Sequence, residues 1–279
     1  MGNVKTNGHS TQGSDESHYV SLGASRIHYI TAGKGSPAIV FVHCWAGNLG
    51  FWREQIPALA DQARLVFIDL PGHGQSDKPQ TTYTMDFFAD AVLAVLHDAK
   101  VSKAIFVGHS MGAGVISRIY DREPEKVSAL VCIDGLIKRP DGQDEQLAAL
   151  LVPFGTPQYL DHARQLIHTF FPTPGTEALR DKVMSEMLST PQHVMAGGMH
   201  AMFGPRQFDW VLENVGVPVA IINAPGFWWN NGYESYVRSI TSQSEYMVMD
   251  DVGHFPMLEK PAEFNATLSA VLQKFGSLK

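Results

Sequence analysis

Short, uninterrupted apolar runs, most of them separated by stretches long enough for a helix, set the tightest limit on how this chain can fold. The runs occupy 38–43 (AIVFVH), 63–69 (ARLVFID), 103–108 (KAIFVG), 127–134 (VSALVCID), 218–223 (PVAIIN) and 245–250 (EYMVMD). A strand that is apolar without alternation is one covered on both faces. Helical spacing is expected near 51–60, from 84 to 99, from the end of the third run to about 122, and from 261 to 275, with Pro261 in the first turn of the last. Strand–helix alternation of this kind predicts a mostly parallel sheet with helices on both faces. Residues 18–22 and 26–32, joined across a Gly-Ala turn, are expected to open it as a hairpin.

The rhythm breaks once. Residues 136–213 hold no buried-strand pattern, but several helix-like stretches cut by Pro153, Pro157, Pro172, Pro174, Pro191 and Pro205. A chain of 279 residues is long for one domain and short for two. The expected organisation is therefore a polar tail at 1–16, a core built from 17–135 and 214–279, and a helical insertion at 136–213. The tail fits the loose myristoylation pattern through Gly2 and Thr6, although an ordinary polar start is the simpler reading.

At the end of the third run stands Gly108-His109-Ser110-Met111-Gly112. A Gly-x-Ser-x-Gly string alone is weak. Here it sits where an apolar strand stops and an apolar helix begins. So tight a reversal brings backbones together at both flanks, lifts the serine hydroxyl above the sheet rim and aims a helix N-terminus at it. A serine needs an adjacent base to act as a nucleophile. His254, in the loop after the last expected strand, emerges at the same sheet edge as Ser110, the edge where open α/β sheets bind ligands. His9, His18 and His28 lie in the tail or hairpin, His97 in a helix, and His162, His168, His193 and His200 in the insertion. His73 and His109 read as loop-packing residues.

Together with VHCWAGN (42–48), IDLPGHGQSDKP (68–79) and GHFPMLEKP (253–261), the GHSMG elbow makes residues 18–279 resemble the α/β-hydrolase fold family, and within it the capped esterase and lipase-like members. The resemblance implies an eight-stranded sheet with a helical cap inserted after the sixth strand, and a triad running nucleophile, acid, histidine along the chain. Ser110 matches the nucleophile and His254 the base. The loop after 218–223, where many members carry the acid, has no carboxylate before Glu234. Asp134, at the end of the preceding strand, is the expected acid, with Glu234 and Asp251 as alternatives. The oxyanion hole would fall on the backbone amides of Met111 and Trp45. Cys44 remains an alternative to Trp45, because His43-Cys44 replaces the family's usual His-Gly. Cys44 itself reads as a small buried residue and not as a nucleophile. Asp69 precedes the nucleophile and reads as a loop-fixing residue.

Trp45, Phe154, Met199, Phe203, Trp228 and Trp229 are the expected substrate-binding side chains, while most apolar residues of the insertion simply pack its helices. The expected chemistry is cleavage of small, largely apolar esters through an acyl-serine, with no cofactor and no metal. Lactonases, C–C bond hydrolases and cofactor-free perhydrolases share the same triad, and hydrolase-fold receptors use the same pocket without turnover. Aspartate at the elbow marks the relatives that attack epoxides and alkyl halides, and position 110 is a serine. A net charge of −7 argues against a nucleic-acid partner, and two cysteines provide no disulfide framework. With no membrane-spanning apolar run, a cytoplasmic protein is expected, acting on a small-molecule ester. The oligomeric state has no signature in the sequence.

Overall fold

The computed structural model describes residues 16–137, 145, 149–204, 214–226 and 231–276. Eight strands form one sheet: β1 (Glu16–Leu22), β2 (Ser25–Ala32), β3 (Ala38–Val42), β4 (Arg64–Ile68), β5 (Ala104–His109), β6 (Val127–Ile133), β7 (Val219–Asn223) and β8 (Ser244–Val248). Their order is β1-β2-β4-β3-β5-β6-β7-β8. The β1–β2 and β2–β4 pairs are antiparallel, and every later pair is parallel. The hairpin and the mostly parallel sheet are those the apolar runs predict. Burial explains why the runs were visible. Residues 39–42, 65–68, 104–109 and 219–223 are all buried, whereas β1 and β8, at the two edges, are partly exposed along their length.

The helices whose bounds fall within the described residues are α1 (Ile56–Leu59), α2 (Met85–Asp98), α3 (Met111–Arg122), α4 (Tyr159–Thr169), α5 (Glu177–Leu188), α6 (Gln192–Phe203), α7 (Asn231–Ile240), α8 (Pro256–Glu259) and α9 (Pro261–Lys274). Capping chemistry sets several starts. Thr84 Oγ1 accepts from the Phe87 amide at 3.0 Å, satisfying one of the orphan donors of α2. Pro261 opens α9, where its missing N–H costs nothing. The helix expected at 51–60 is instead a 3-10 segment, Leu49–Gln55, that runs on into the single turn α1, with Pro57 at the start of that turn. Helix α7 went unforeseen, although Tyr233, Val237 and Ile240 stand at helical spacing and are buried.

Between β6 and β7 the described residues form helices α4–α6 and a short 3-10 turn, Val152–Gly155. Cross-links fasten this segment to the loop after β3. The Trp45 indole N–H donates to the Met195 carbonyl at 2.9 Å, and Asn48 Nδ2 donates to Glu186 at 3.1 Å. Helix α6 comes close because Gly198 has no side chain. A Cβ there would lie 2.8 Å from the Trp45 ring. Among the described residues no helix is long and apolar enough to cross a membrane.

Candidate active site

Six parallel strands end at one rim of the sheet, and the chemistry-bearing residues follow five of them: Cys44 and Trp45 after β3, Ser110 after β5, Asp134 after β6, Ala224 after β7 and His254 in the loop after β8. At the elbow, Ser110 adopts φ 53° and ψ −115°. That is positive φ at a residue with a side chain, a strain of about 1–3 kcal/mol that the surroundings must hold. They hold it from two sides. The Ser110 amide donates to the Ile133 carbonyl at 2.9 Å, and the Ser110 carbonyl accepts from the Ala113 amide at 2.9 Å. The flanking glycines are required by contact. A Cβ on Gly108 would lie 2.4 Å from the Gly112 carbonyl oxygen, and one on Gly112 would lie 2.3 Å from that of Val42.

Asp134 and His254 meet directly. The His254 Nδ1–H donates to Asp134 Oδ2 at 2.6 Å, while Asp134 Oδ1 accepts from the Ala224 amide at 2.9 Å. The carboxylate is thus oriented from β7 while it orients the imidazole. The two alternative acids lie elsewhere. Glu234 pairs with Arg238 one turn along α7, and the Asp251 side chain is 85% exposed beside Lys260.

The loop carrying His254 is clamped on both sides. Glu259 accepts from the Gly253 amide at 2.8 Å and from the Phe255 amide at 3.1 Å. Burial raises the Glu259 pKa, and the two amides pull against it. The His254 amide donates to the Phe170 carbonyl at 2.8 Å, and the Phe170 ring lies 4.5 Å from the imidazole. His109 Nε2–H donates to the His254 carbonyl at 2.6 Å. Burial, with His254 alongside, drives the His109 pKa well below the ordinary histidine value, so the ring is a neutral strut. The sequence reading took His109 as packing and overlooked Glu259. The clue was a carboxylate a single turn downstream of the histidine.

The choice between the Cys44 and Trp45 amides turns on a peptide plane. His43 Nε2 accepts from the Leu70 amide at 3.0 Å, which leaves the ring proton on Nδ1. That proton goes to the Cys44 carbonyl at 2.7 Å, and the Gly47 amide donates to the same oxygen at 3.1 Å. Burial lowers the His43 pKa and keeps the ring neutral. In a trans peptide N–H and C=O point in opposite directions. The Trp45 N–H is therefore turned away from the interior of this loop. Met111 is the first residue of α3, so its amide has no partner within the helix. Burial raises the pKa of the Cys44 thiol, which suits a packing residue and not a thiolate.

Ser110, Asp134 and His254 share the wall of one cavity of ≈ 570 Å³, a size that suits a small organic ligand. Much of the remaining wall is thioether and ring: Met85, Met111, Met187, Met199, Met202 and Phe203. Among the described residues, Asp134 and His254 are the only carboxylate and imidazole at this wall, and no lysine or arginine reaches it. Of the side chains expected to bind substrate, Trp45, Met199 and Phe203 line it. Phe154 does not. It is buried behind Trp45, edge-on at 5.2 Å, and supports the indole from outside. Trp228 and Trp229 lie outside the described residues. Also among the described residues, no group of three or more His, Cys, Asp or Glu side chains is arranged to hold a metal.

A sequence profile for the alpha/beta hydrolase fold matches residues 37–176, half of the chain. Over 101 residues the chain is 38% identical to the dihydrolipoyllysine-residue acetyltransferase component of an acetoin cleaving system from Pseudomonas putida, a match covering 36% of this chain and 27% of that protein. Over 127 residues it is 35% identical to the soluble epoxide hydrolase of a Corynebacterium species, covering 44% of each. The chain thus spans less than half the length of either relative. Among solved structures, the enol-lactonase from Burkholderia xenovorans LB400 superposes with a TM-score of 0.82 at 19% identity, over 92% of this chain and all of that one. Likeness at that identity speaks for the fold. Profile match, strand order and elbow agree, and the chain belongs to the alpha/beta hydrolase fold family.

Proposed function

We propose that this protein is a serine hydrolase that cleaves small, neutral, largely apolar esters through an acyl-Ser110 intermediate. The observation that carries the reading is the 2.6 Å His254–Asp134 hydrogen bond at the rim of the cavity that Ser110 also lines. With Nδ1 committed to Asp134, His254 keeps its Nε2 lone pair for the serine proton. Ser110 Oγ attacks the ester carbonyl as that proton passes to His254. Negative charge develops on the carbonyl oxygen and is met by the Met111 and Trp45 amides, each worth about 3–4 kcal/mol in the transition state. The alcohol leaves with the proton from His254, and water repeats the sequence on the acyl-enzyme.

The wall supports the substrate class. Its five methionines adapt to varied apolar shapes, and among the described residues no cation waits there for a phosphate or carboxylate. In this reading residues 136–213 act as a cap whose helices α5 and α6 bring Met187, Met199 and Met202 over Ser110. The nucleophile also bears on the epoxide alternative. A serine that opened an epoxide would become an ether, which water does not cleave, whereas a serine acylated by an ester becomes an ester. The test is turnover of p-nitrophenyl butyrate. Ser110→Ala should lower kcat by about 10⁶-fold, and hydrolysis that survives the substitution would remove Ser110 from the chemistry.

A further inference from the structure

A hydroxyl–imidazole–carboxylate chain is built into the β1 side of the sheet, and none of its members lines the cavity. Ser17, exposed on β1, has its Oγ 3.0 Å from His28 Nε2. His28, on β2 and 1% exposed, has its Nδ1 2.7 Å from Asp69 Oδ2. Asp69, just past β4, is equally sealed, and its carboxylate also accepts from the Leu49 amide at 2.8 Å and the Gln75 amide at 2.9 Å. Burial by itself would raise the Asp69 pKa. The His28 bond, His43 and the two amides outweigh it and hold the carboxyl below its usual range. An ionised Asp69 has only acceptors, so the Nδ1 proton of His28 is fixed on it and the Nε2 lone pair faces the Ser17 hydroxyl. The Ser76 hydroxyl holds the His28 amide at 2.8 Å and the Tyr19 ring packs 5.0 Å from the imidazole, so the ring has little freedom to turn away.

We propose that Ser17 is a second nucleophilic position, a surface hydroxyl primed by His28 for acylation by activated carboxylic esters. In the step, the Ser17 O–H bond breaks and its proton passes to His28 Nε2. Oγ bonds to the acyl carbon, the carbon–oxygen bond to the alcohol portion breaks, and the alkoxide or phenolate departs with the electron pair and takes up the proton through water. Ser17 stands on an exposed strand edge and not in the cavity. The product is therefore a stoichiometric adduct, a modification site independent of turnover at Ser110.

The strand carries its own control. Ser21 is on the same strand and also exposed, with no hydrogen bond to an imidazole among the described residues. The experiment treats the full chain carrying Ser110→Ala with p-nitrophenyl acetate and follows acetylation by peptide mass spectrometry. General-base assistance predicts that Ser17 is acetylated about a hundredfold faster than Ser21. Adding Ser17→Ala should remove that adduct, and adding His28→Gln should bring Ser17 down to the Ser21 rate. Equal rates at Ser17 and Ser21, or an unchanged Ser17 rate in folded His28→Gln protein, would overturn the proposal. Should His28→Gln fail to fold, the Ser17 to Ser21 ratio in the parent protein decides alone.

Discussion

Two histidine–aspartate pairs of nearly equal length, His254–Asp134 at 2.6 Å and His28–Asp69 at 2.7 Å, sit in very different surroundings. At His28–Asp69 both side chains are 2% exposed, and the carboxylate also ties down the loops at Leu49 and Gln75. At His254–Asp134 the side chains are 16% and 9% exposed beside a cavity, and the carboxylate also accepts from the Ala224 amide. The same hydrogen bond therefore serves two ends. Where the aspartate collects two loop amides besides the imidazole, it also holds the fold. Where it serves an imidazole at a cavity wall, the proposed mechanism makes that imidazole the base.

Substitution at each aspartate separates these roles. Asp134→Asn should lower kcat by about 10⁴-fold, because it unsettles the tautomer of His254, with the melting temperature close to wild type. Steady-state kinetics beside thermal unfolding read both. Near-normal turnover would assign the His254 partner a purely structural part. Asp69→Ala should do the opposite. It strands His28 and two amides and should cost about 3–5 kcal/mol in urea unfolding, while the folded fraction keeps its kcat. A fall in kcat with stability unchanged would erase the contrast between the pairs.

Acid should reveal the buried, neutral histidines. Burial, with His43 alongside, lowers the His73 pKa to about 3 and accounts for the lowering at His43 and His109 as well. The unfolded chain takes up protons at these positions near pH 6.5. Between that value and the folded pKa it binds more protons than the native state, so stability rises with pH and is lost as pH falls. From pH 6.5 to 5, His73 alone accounts for about 2 kcal/mol. His73→Asn should flatten the pH dependence of unfolding, and an unchanged slope would exclude His73 as its source. A smaller effect is expected at the loop of His254. Glu259→Gln keeps one acceptor for two amides and should cost about 1 kcal/mol. Lower kcat at unaltered KM would show that this clamp positions the base, whereas a change in stability alone would make it a fastener of the loop.

The central strands were legible because burial on both faces leaves an unbroken apolar run, and the elbow because two glycines meet backbone within 2.4 Å. Asp134 was legible only by default, through a downstream loop with no carboxylate before Glu234. The cavity wall was less readable. Met85 and Met187 line it and Phe154 does not, because the face a helical residue presents depends on how the helices cross. His28–Asp69 was missed as a pair. Asp69 read as a loop-fixing residue, and it does hold Leu49 and Gln75. Its imidazole partner lies 41 residues away, however, and is brought near by the antiparallel pairing of β2 with β4, which no local pattern records.

The acyl-serine itself provides the most direct measurement. Wild-type protein mixed with p-nitrophenyl butyrate and quenched in acid within the first turnovers should carry a butyryl group on the peptide containing Ser110, present in Asp134→Asn and absent from Ser110→Ala. Continued hydrolysis with that peptide unmodified, or an adduct in Ser110→Ala that forms and decays at the rate of turnover, would contradict the assignment of Ser110 as the nucleophile.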